Sequence, residues 1–214
     1  MRTLLEFAGD FLRRYGQMVM NMVVFFGIFH WMLVYTFPSF LAHQFDFVDT
    51  MFLLHNIVMI TLILARFKHR GVDRNFFHQA IAVIAFFSGL AFTGTATSNP
   101  LLLITSKTVI CIAMILGTIT LFNLGRSFGI LIAYRKVKIS YLYSIVRHPM
   151  YLTDIFWKIG IILYKPSWFN LAIFAVSASC YVYRAILEEE FLSQQPEYRE
   201  YMARVRYRFL PGIF

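Results

Sequence analysis

The chain alternates between long apolar stretches and short polar connections. The apolar stretches cover roughly residues 18–37, 48–65, 76–95, 100–124, 150–164 and 167–186. A bilayer crossing takes about 20 mostly apolar residues, within roughly 17–25. The first four stretches meet that length. The fifth is short and contains Asp154 and Lys158, so it is expected to tilt or to lie among other helices. Lys165-Pro166 links it to the sixth as a tight turn, which predicts a helical hairpin. The pattern therefore predicts an all-α, polytopic transmembrane helical bundle of about six spans.

The connections orient the bundle. Arg13 and Arg14 precede the first stretch, and the first connection, 38–47, has Asp46 but no Lys or Arg. The second carries Arg66, Lys68, Arg70 and Arg74, whereas the third, 96–99, carries no charge. Arg126, Arg135, Lys136, Lys138 and Arg147 follow the fourth stretch, and Arg199, Arg204, Arg206 and Arg208 fill the tail. Positive charge returns at alternate connections, so the N- and C-termini are both expected to be cytoplasmic.

Composition narrows the function classes. Charged residues make up 14% of the 214 positions and hydrophobic ones 59%, against about a quarter charged in a soluble domain. The +9 net charge falls in connections between apolar runs, which suits anionic headgroups rather than nucleic acid. No A-x-A-type site follows the first run, so it is expected to stay as a span. Cys111 and Cys180 lie inside apolar runs, which argues against a disulfide framework or a cysteine metal site. His30, His43, His55, His69, His78 and His148 show no ligand spacing, and no metal is expected. There is no GxGxxG, Walker or HExxH pattern.

The candidate chemistry sits at the ends of the hairpin. Arg147-His148-Pro149-Met150-Tyr151 opens it and Glu188-Glu189-Glu190 closes it. Ionisable groups at a membrane helix end are costly and point to a site. Pro149 suits the first turn of a helix. The free N–H groups of that turn, with Arg147 and His148, would attract an anion. The faces of Tyr143 and Tyr151 would hold a cation at about 0.5–2 kcal/mol. Arg184 and Glu188 share a helix face, and the returning hairpin brings Glu188 toward His148. This set suits a zwitterion with an added positive centre. Each member has an ordinary alternative: Arg147 on lipid phosphate, His148 at the interface, Glu188 to Glu190 as a solvated helix end paired with Arg184, the tyrosines as an aromatic belt. Their order and spacing favour a site.

Other positions carry smaller expectations. The long connection 124–146 is basic and amphipathic, and Phe128, Ile130, Leu131 and Ile132 predict that it packs. Asp154 and Lys158 are expected to neutralise each other, Lys107 to snorkel to the outer surface, and His55 and Asn56 to hydrogen-bond between helices.

The stretch Leu124-Gly125-Arg126-Ser127-Phe128 through Arg147-His148-Pro149-Met150-Tyr151-Leu152 resembles the core of the isoprenylcysteine carboxyl methyltransferase and phospholipid methyltransferase superfamily. Glu188-Glu189-Glu190-Phe191-Leu192, Tyr198, Tyr201 and Tyr207-Arg208-Phe209-Leu210-Pro211-Gly212 continue the resemblance over roughly the C-terminal half. It implies an integral membrane, S-adenosylmethionine-dependent methyltransferase with its active site facing the cytoplasm. By position it implies that Arg135, Lys136, Val137 and Lys138, Tyr143, Arg147, His148, Pro149, Met150, Tyr151 and Glu188 hold the cofactor. Arg184 would stand beside the methyl acceptor, with Glu188 or Glu189 taking a proton if that acceptor is an amine. The acceptor is expected to be a lipophilic small molecule entering from the membrane lipids, through a scaffold of residues 1–123, with 124–214 as the catalytic region. The acceptor's identity, O- versus N-methylation and the oligomeric state stay open. Two positions depart from the pattern: the family usually has glycine where Tyr141 stands, and often where Thr153 stands. NADPH-dependent sterol-type reductases share the Arg-His-Pro-x-Tyr motif and the Tyr-Arg-x-x-Pro-Gly ending, and form the alternative; the Glu188-Glu189 pair favours methyl transfer. A lipid-binding or scaffold role is the non-enzymatic reading.

Overall fold

Capping residues and prolines set most helix ends in the computed structural model, which describes residues 4–42 and 46–213. His43 lies outside the described residues. Helix α1 (Leu4–Trp31) runs through a π-helical stretch, Met32–Thr36, into the short α2 (Phe37–Leu41). Asp46 opens α3 (Phe47–Ala65) with a capping box: its carboxylate accepts from the Val48 and Asp49 N–H groups at 2.8 and 3.0 Å, and its own N–H donates to Asp49. Asn75 caps α4 (Phe76–Phe87), which tightens into a 3-10 turn at Ser88–Ala91. Asn99 and Pro100 start α5 (Pro100–Leu124), Pro149 starts α6 (Pro149–Tyr164), Ser167 caps α7 (Trp168–Leu192), and Pro196 starts α8 (Pro196–Arg204).

Four helical stretches are long and apolar enough to cross a membrane: Arg14–Val34, Phe47–Ala65, Pro100–Ser127 and Trp168–Leu192. The other two expected spans are shorter. Helix α4 with its turn ends at Ala91, four residues before Thr95, and α6 has 16 residues, about 24 Å at 1.5 Å per residue. Both end against a polar anchor. Asn170 is fully buried; its amide donates to the carbonyls of Thr93 and Lys165 at 2.9 and 2.7 Å and accepts from the Thr93 N–H at 3.2 Å. Backbone groups left free where α4 and α6 stop early are thus satisfied from α7, as an apolar surround requires.

Close approach of α5 and α6 depends on Gly160, where a Cβ would lie 2.5 Å from Ile110 and 3.2 Å from the Ser106 carbonyl. His55 Nδ1 lies 3.1 Å from the Thr118 hydroxyl, the interhelical hydrogen bond expected of it. Lys107 reaches the opposite end of the bundle and pairs with Asp46 at 2.5 Å. The Asp154–Lys158 expectation needs correction. The Lys158 ammonium donates to the backbone carbonyl of Asp154 at 3.3 Å and lies over the rings of Trp157 and Tyr181. The Asp154 carboxylate is instead held across the α6–α7 interface by the Tyr181 hydroxyl at 2.9 Å.

The 124–146 connection packs as its apolar residues predict. Phe128, Ile130 and Leu131 join Val24, Ile63, Leu121, Tyr151 and Tyr181 in the main core. A two-residue antiparallel pair, β1 (Gly71–Val72) with β2 (Ala133–Tyr134), sets Gly71 opposite Tyr134 and ties the two basic connections together. Buried Gln79 locks the same place, donating to the Ile132 carbonyl at 3.0 Å and accepting from its N–H at 2.9 Å.

Candidate functional site

Two environments form side by side where α6 begins and α7 ends. The first is built on the backbone of the Arg-His-Pro motif. Arg147 and His148 donate their N–H groups to the carbonyls of Tyr207 and Arg208, each at 2.9 Å, so the tail runs alongside the motif. Glu189, buried on α7, receives the side chains: Arg147 at 2.7 and 3.2 Å, His148 Nε2 at 3.0 Å and Arg208 at 2.8 Å. Arg147 Nη1 also donates to the carbonyls of Val205 and Arg206 at 2.8 and 2.6 Å. Every partner of this knot is supplied by the chain itself.

The second environment is a cavity of about 860 Å³, counting its open mouth. Its wall contains Arg135, Lys136, Val137, Lys138, Tyr143, Arg147, His148, Met150, Tyr151, Arg184 and Glu188, all named from the sequence. Pro149 and Glu189 do not line it. Adjacent residues on a helix point about 100° apart (3.6 residues per turn), so Glu188 faces the cavity while Glu189 faces the tail. Glu189, expected in proton transfer, is therefore fully engaged as an acceptor in the knot, and the Arg147 guanidinium, expected on the cofactor, is engaged with it. His148 belongs to both places, its ring stacked on Tyr151 at 5.1 Å between centroids.

Wall residues beyond the expected set include Ser127, Gly129, Tyr134, Asp154, Tyr198 and Tyr201. Helix α8 brings the last two. Tyr201 donates to the Tyr143 carbonyl at 2.8 Å, and Tyr134 donates to Glu197 at 2.8 Å, which fixes α8 as one side of the cavity. Burial pushes the Tyr143, Tyr198 and Tyr201 phenols above their ordinary range. Both tyrosines belong to the tail that carries the family resemblance, and their spacing, three apart on an otherwise hydrophilic helix, was a further signal.

The electrostatics differ sharply from the knot. Among the described residues, the buried side-chain nitrogen and oxygen atoms without a hydrogen-bond partner belong to Arg66, Ser127, Arg135 and Arg184; the last three line the cavity. Arg184 donates to the Ile130 carbonyl at 2.6 Å and stacks over Tyr151, yet its Nε is unpartnered. Arg135 is 8% exposed and lies against Gly129, where a Cβ would come within 2.5 Å of its guanidinium. Burial lowers Arg135 to about 10, opposed by Glu188 and reinforced by Arg184. Glu188 accepts a hydrogen bond from the Tyr151 hydroxyl and makes no ion pair within 4.0 Å among the described residues, with Arg135 and Arg184 in electrostatic reach but not in contact. Unpaired guanidinium N–H groups suit an anionic oxygen, and an unpaired carboxylate beside aromatic faces suits a cation.

The two departures from the family pattern have separate outcomes. Tyr141 keeps a left-handed backbone, φ +51°, the lone positive φ outside glycine among the described residues, and its side chain is 79% exposed. The loop thus follows a glycine-type path without glycine. Thr153 donates its hydroxyl to the Met150 carbonyl at 2.8 Å and fits within α6.

No curated protein matches the chain. The family model for phospholipid methyltransferase matches residues 96–198. Those residues include α5, the packed connection, the Arg-His-Pro motif, the hairpin and Glu188, and so nearly all of the cavity wall. Over these residues, a little under half of the chain, the sequence is similar to the phospholipid methyltransferase family.

Proposed function

We propose that the protein is an S-adenosylmethionine-dependent methyltransferase of the membrane, acting on a lipophilic acceptor. The observation that carries this reading is the cavity's set of unpaired groups, within the segment that matches a methyltransferase family. S-adenosylmethionine has a carboxylate, an ammonium and a sulfonium. The unpartnered Nε–H of Arg135, with the Ser127 hydroxyl, fits the carboxylate; Glu188 fits the ammonium; the faces of Tyr143 and Tyr151 fit a sulfonium. When bound, the cofactor would supply an electrophilic methyl group. The protein's own part is alignment and exclusion of water. Tyr198 and Tyr201 close the wall, Lys136 and Lys138 line the mouth, and Arg184 is held by backbone carbonyls with one N–H left to orient an acceptor.

We further propose a six-crossing arrangement with both termini and the cavity on the cytoplasmic side. Its support is the charge pattern: the basic connections gather around the cavity and are joined by the β1–β2 pair, while Asp46 and Lys107 neutralise each other at the other end. Residues 1–123 would form the scaffold and the acceptor's lateral entrance, and 124–214 would hold the cofactor. The test is direct. Purified in lipid nanodiscs, the protein should gain thermal stability with S-adenosylmethionine or its demethylated product and not with NADPH, and should transfer labelled methyl into extracted membrane lipids. Stabilisation by NADPH alone would overturn the assignment in favour of a reductase.

A further inference from the structure

Asp154 is a carboxylate in the cavity wall that the reading above leaves without a task. It lies five residues into α6, deeper than His148 and Met150, on the membrane side of the site. Its hydrogen-bond partner is the Tyr181 hydroxyl, at 2.9 Å. It forms no ion pair among the described residues, because the nearby Lys158 ammonium goes to a backbone carbonyl and two aromatic faces. An ionisable group at this depth is costly unless it is used. The groups within electrostatic reach are Lys158 on its own helix, Tyr181 and Arg184 on α7, His55 on α3 and Tyr143 in the connection. Tyr181 donates to it as a neutral phenol, and none of the cationic groups hydrogen-bonds to its carboxylate among the described residues.

We propose that Asp154 binds the ammonium group of an amine-bearing lipophilic acceptor and takes the proton that this group must lose. The inference rests on the methyltransferase reading for its co-reactant, the sulfonium. An ammonium has no lone pair and cannot attack carbon. Transfer of one N–H proton to the Asp154 carboxylate frees the lone pair. The nitrogen then forms its bond to the methyl carbon as the sulfur–methyl bond breaks, with that electron pair staying on sulfur. Nitrogen ends with one more carbon and its positive charge, sulfur ends neutral, and Asp154 ends protonated until it exchanges with water at the cavity mouth. Glu188, at the tyrosine-lined side, stays with the cofactor's ammonium. The division follows from position: two unpaired carboxylates serve two cations, one soluble and one arriving from the bilayer.

The experiment uses the full chain in phosphatidylcholine nanodiscs, which hold no primary amine. Binding of dodecylamine, with dodecanol as the neutral control, is followed by thermal shift without cofactor. Wild type should be stabilised by the amine and not by the alcohol, and Asp154→Asn should lose that response. With S-adenosylmethionine, Asp154→Asn should bind the cofactor within about threefold of wild type, while methyl transfer to the amine falls at least 100-fold at pH 7 and recovers in part near pH 10, where the amine loses its proton unaided. Tyr181→Phe keeps the carboxylate and should retain measurable transfer. If Asp154→Asn is too unstable to purify, Asp154→Glu must keep the amine-specific thermal shift. Equal responses to amine and alcohol in wild type, transfer in Asp154→Asn within threefold of wild type, or a methyl ester as the product made from native lipids would each overturn the proposal. A wild type that binds dodecylamine but neither binds S-adenosylmethionine nor transfers methyl would instead sink the methyltransferase reading.

Discussion

On one side of α7, Glu189 is surrounded by Arg147, His148 and Arg208, and the remaining Arg147 N–H groups find carbonyls in the tail. On the other side, one residue earlier, Glu188 faces a cavity where Arg135, Arg184 and Ser127 keep atoms that nothing in the chain satisfies. Both regions are rich in charge, and both fall in the motif that the sequence singles out. They differ in whether the chain supplies its own partners. A buried charge with its hydrogen bonds complete is structural, since removing one partner strands the rest. A buried donor without a partner in the chain carries a desolvation penalty of about 1–3 kcal/mol that a bound ligand or an ordered water must remove. Charge alone therefore does not locate the binding site; unsatisfied charge does.

The comparison breaks most readily at Glu189. Glu189→Ala leaves two guanidinium groups and an imidazole without their shared carboxylate, and should cost about 3–5 kcal/mol. Chemical denaturation in detergent would measure it; a loss under 1 kcal/mol would mean that the knot is not structural. Glu188→Gln should do the reverse. Stability should change by less than about 1 kcal/mol, because only the Tyr151 bond is disturbed. Affinity for S-adenosylmethionine, followed by calorimetry, should fall by roughly one to two orders of magnitude, the scale of a lost charge-assisted contact of about 1.5–3 kcal/mol. Arg135→Met sharpens the contrast through its sign. Exchanging an unpaired buried cation for an apolar side chain of similar length should stabilise the ligand-free protein by about 1 kcal/mol or more, while weakening cofactor binding. A destabilised Arg135→Met protein would show that this guanidinium already has an internal role.

The helices were legible because apolar length and Pro, Asn, Asp and Ser punctuation act locally. Asp46, Asn99, Pro100, Pro149 and Ser167 all lie at the helix starts that their chemistry favours. The cavity wall was legible where a motif named it, from Arg135 to Tyr151 and at Arg184 and Glu188. What stayed hidden depends on contacts distant in sequence. That Glu189 and not Glu188 binds His148 follows from the tail's pairing with residues 146–148, and no periodicity reports that pairing. Asp154 and Lys158 are four apart on a helix, so local geometry predicts a pair. The Tyr181 hydroxyl on another helix decides otherwise. Helix α4 ends early because Asn170, about 80 residues away, satisfies the backbone that follows it.

Tyr141 tests the same distinction at the smallest scale, in the backbone rather than in charge. Its φ of +51° brings Cβ close to the following carbonyl, at a cost of roughly 1–2 kcal/mol for a non-glycine residue. With the side chain 79% exposed, packing repays little of this. The conformation is held by its neighbours. Asn123 donates to the Ser140 carbonyl at 2.6 Å and accepts from the Ser140 hydroxyl at 2.8 Å, and Ser144 donates to the Tyr141 carbonyl at 2.5 Å. Tyr141→Gly would remove the strain while adding freedom to the unfolded chain, worth about 0.4–1 kcal/mol in the other direction. The net expectation is a gain of about 0.5 kcal/mol, read as a small rise in denaturation midpoint. Tyr141→Ala keeps the Cβ and the strain, so it should show no gain. Equal midpoints for the two variants would mean that the loop relaxes away from φ +51°, and that the backbone path beside Tyr143 is set by side-chain contacts instead.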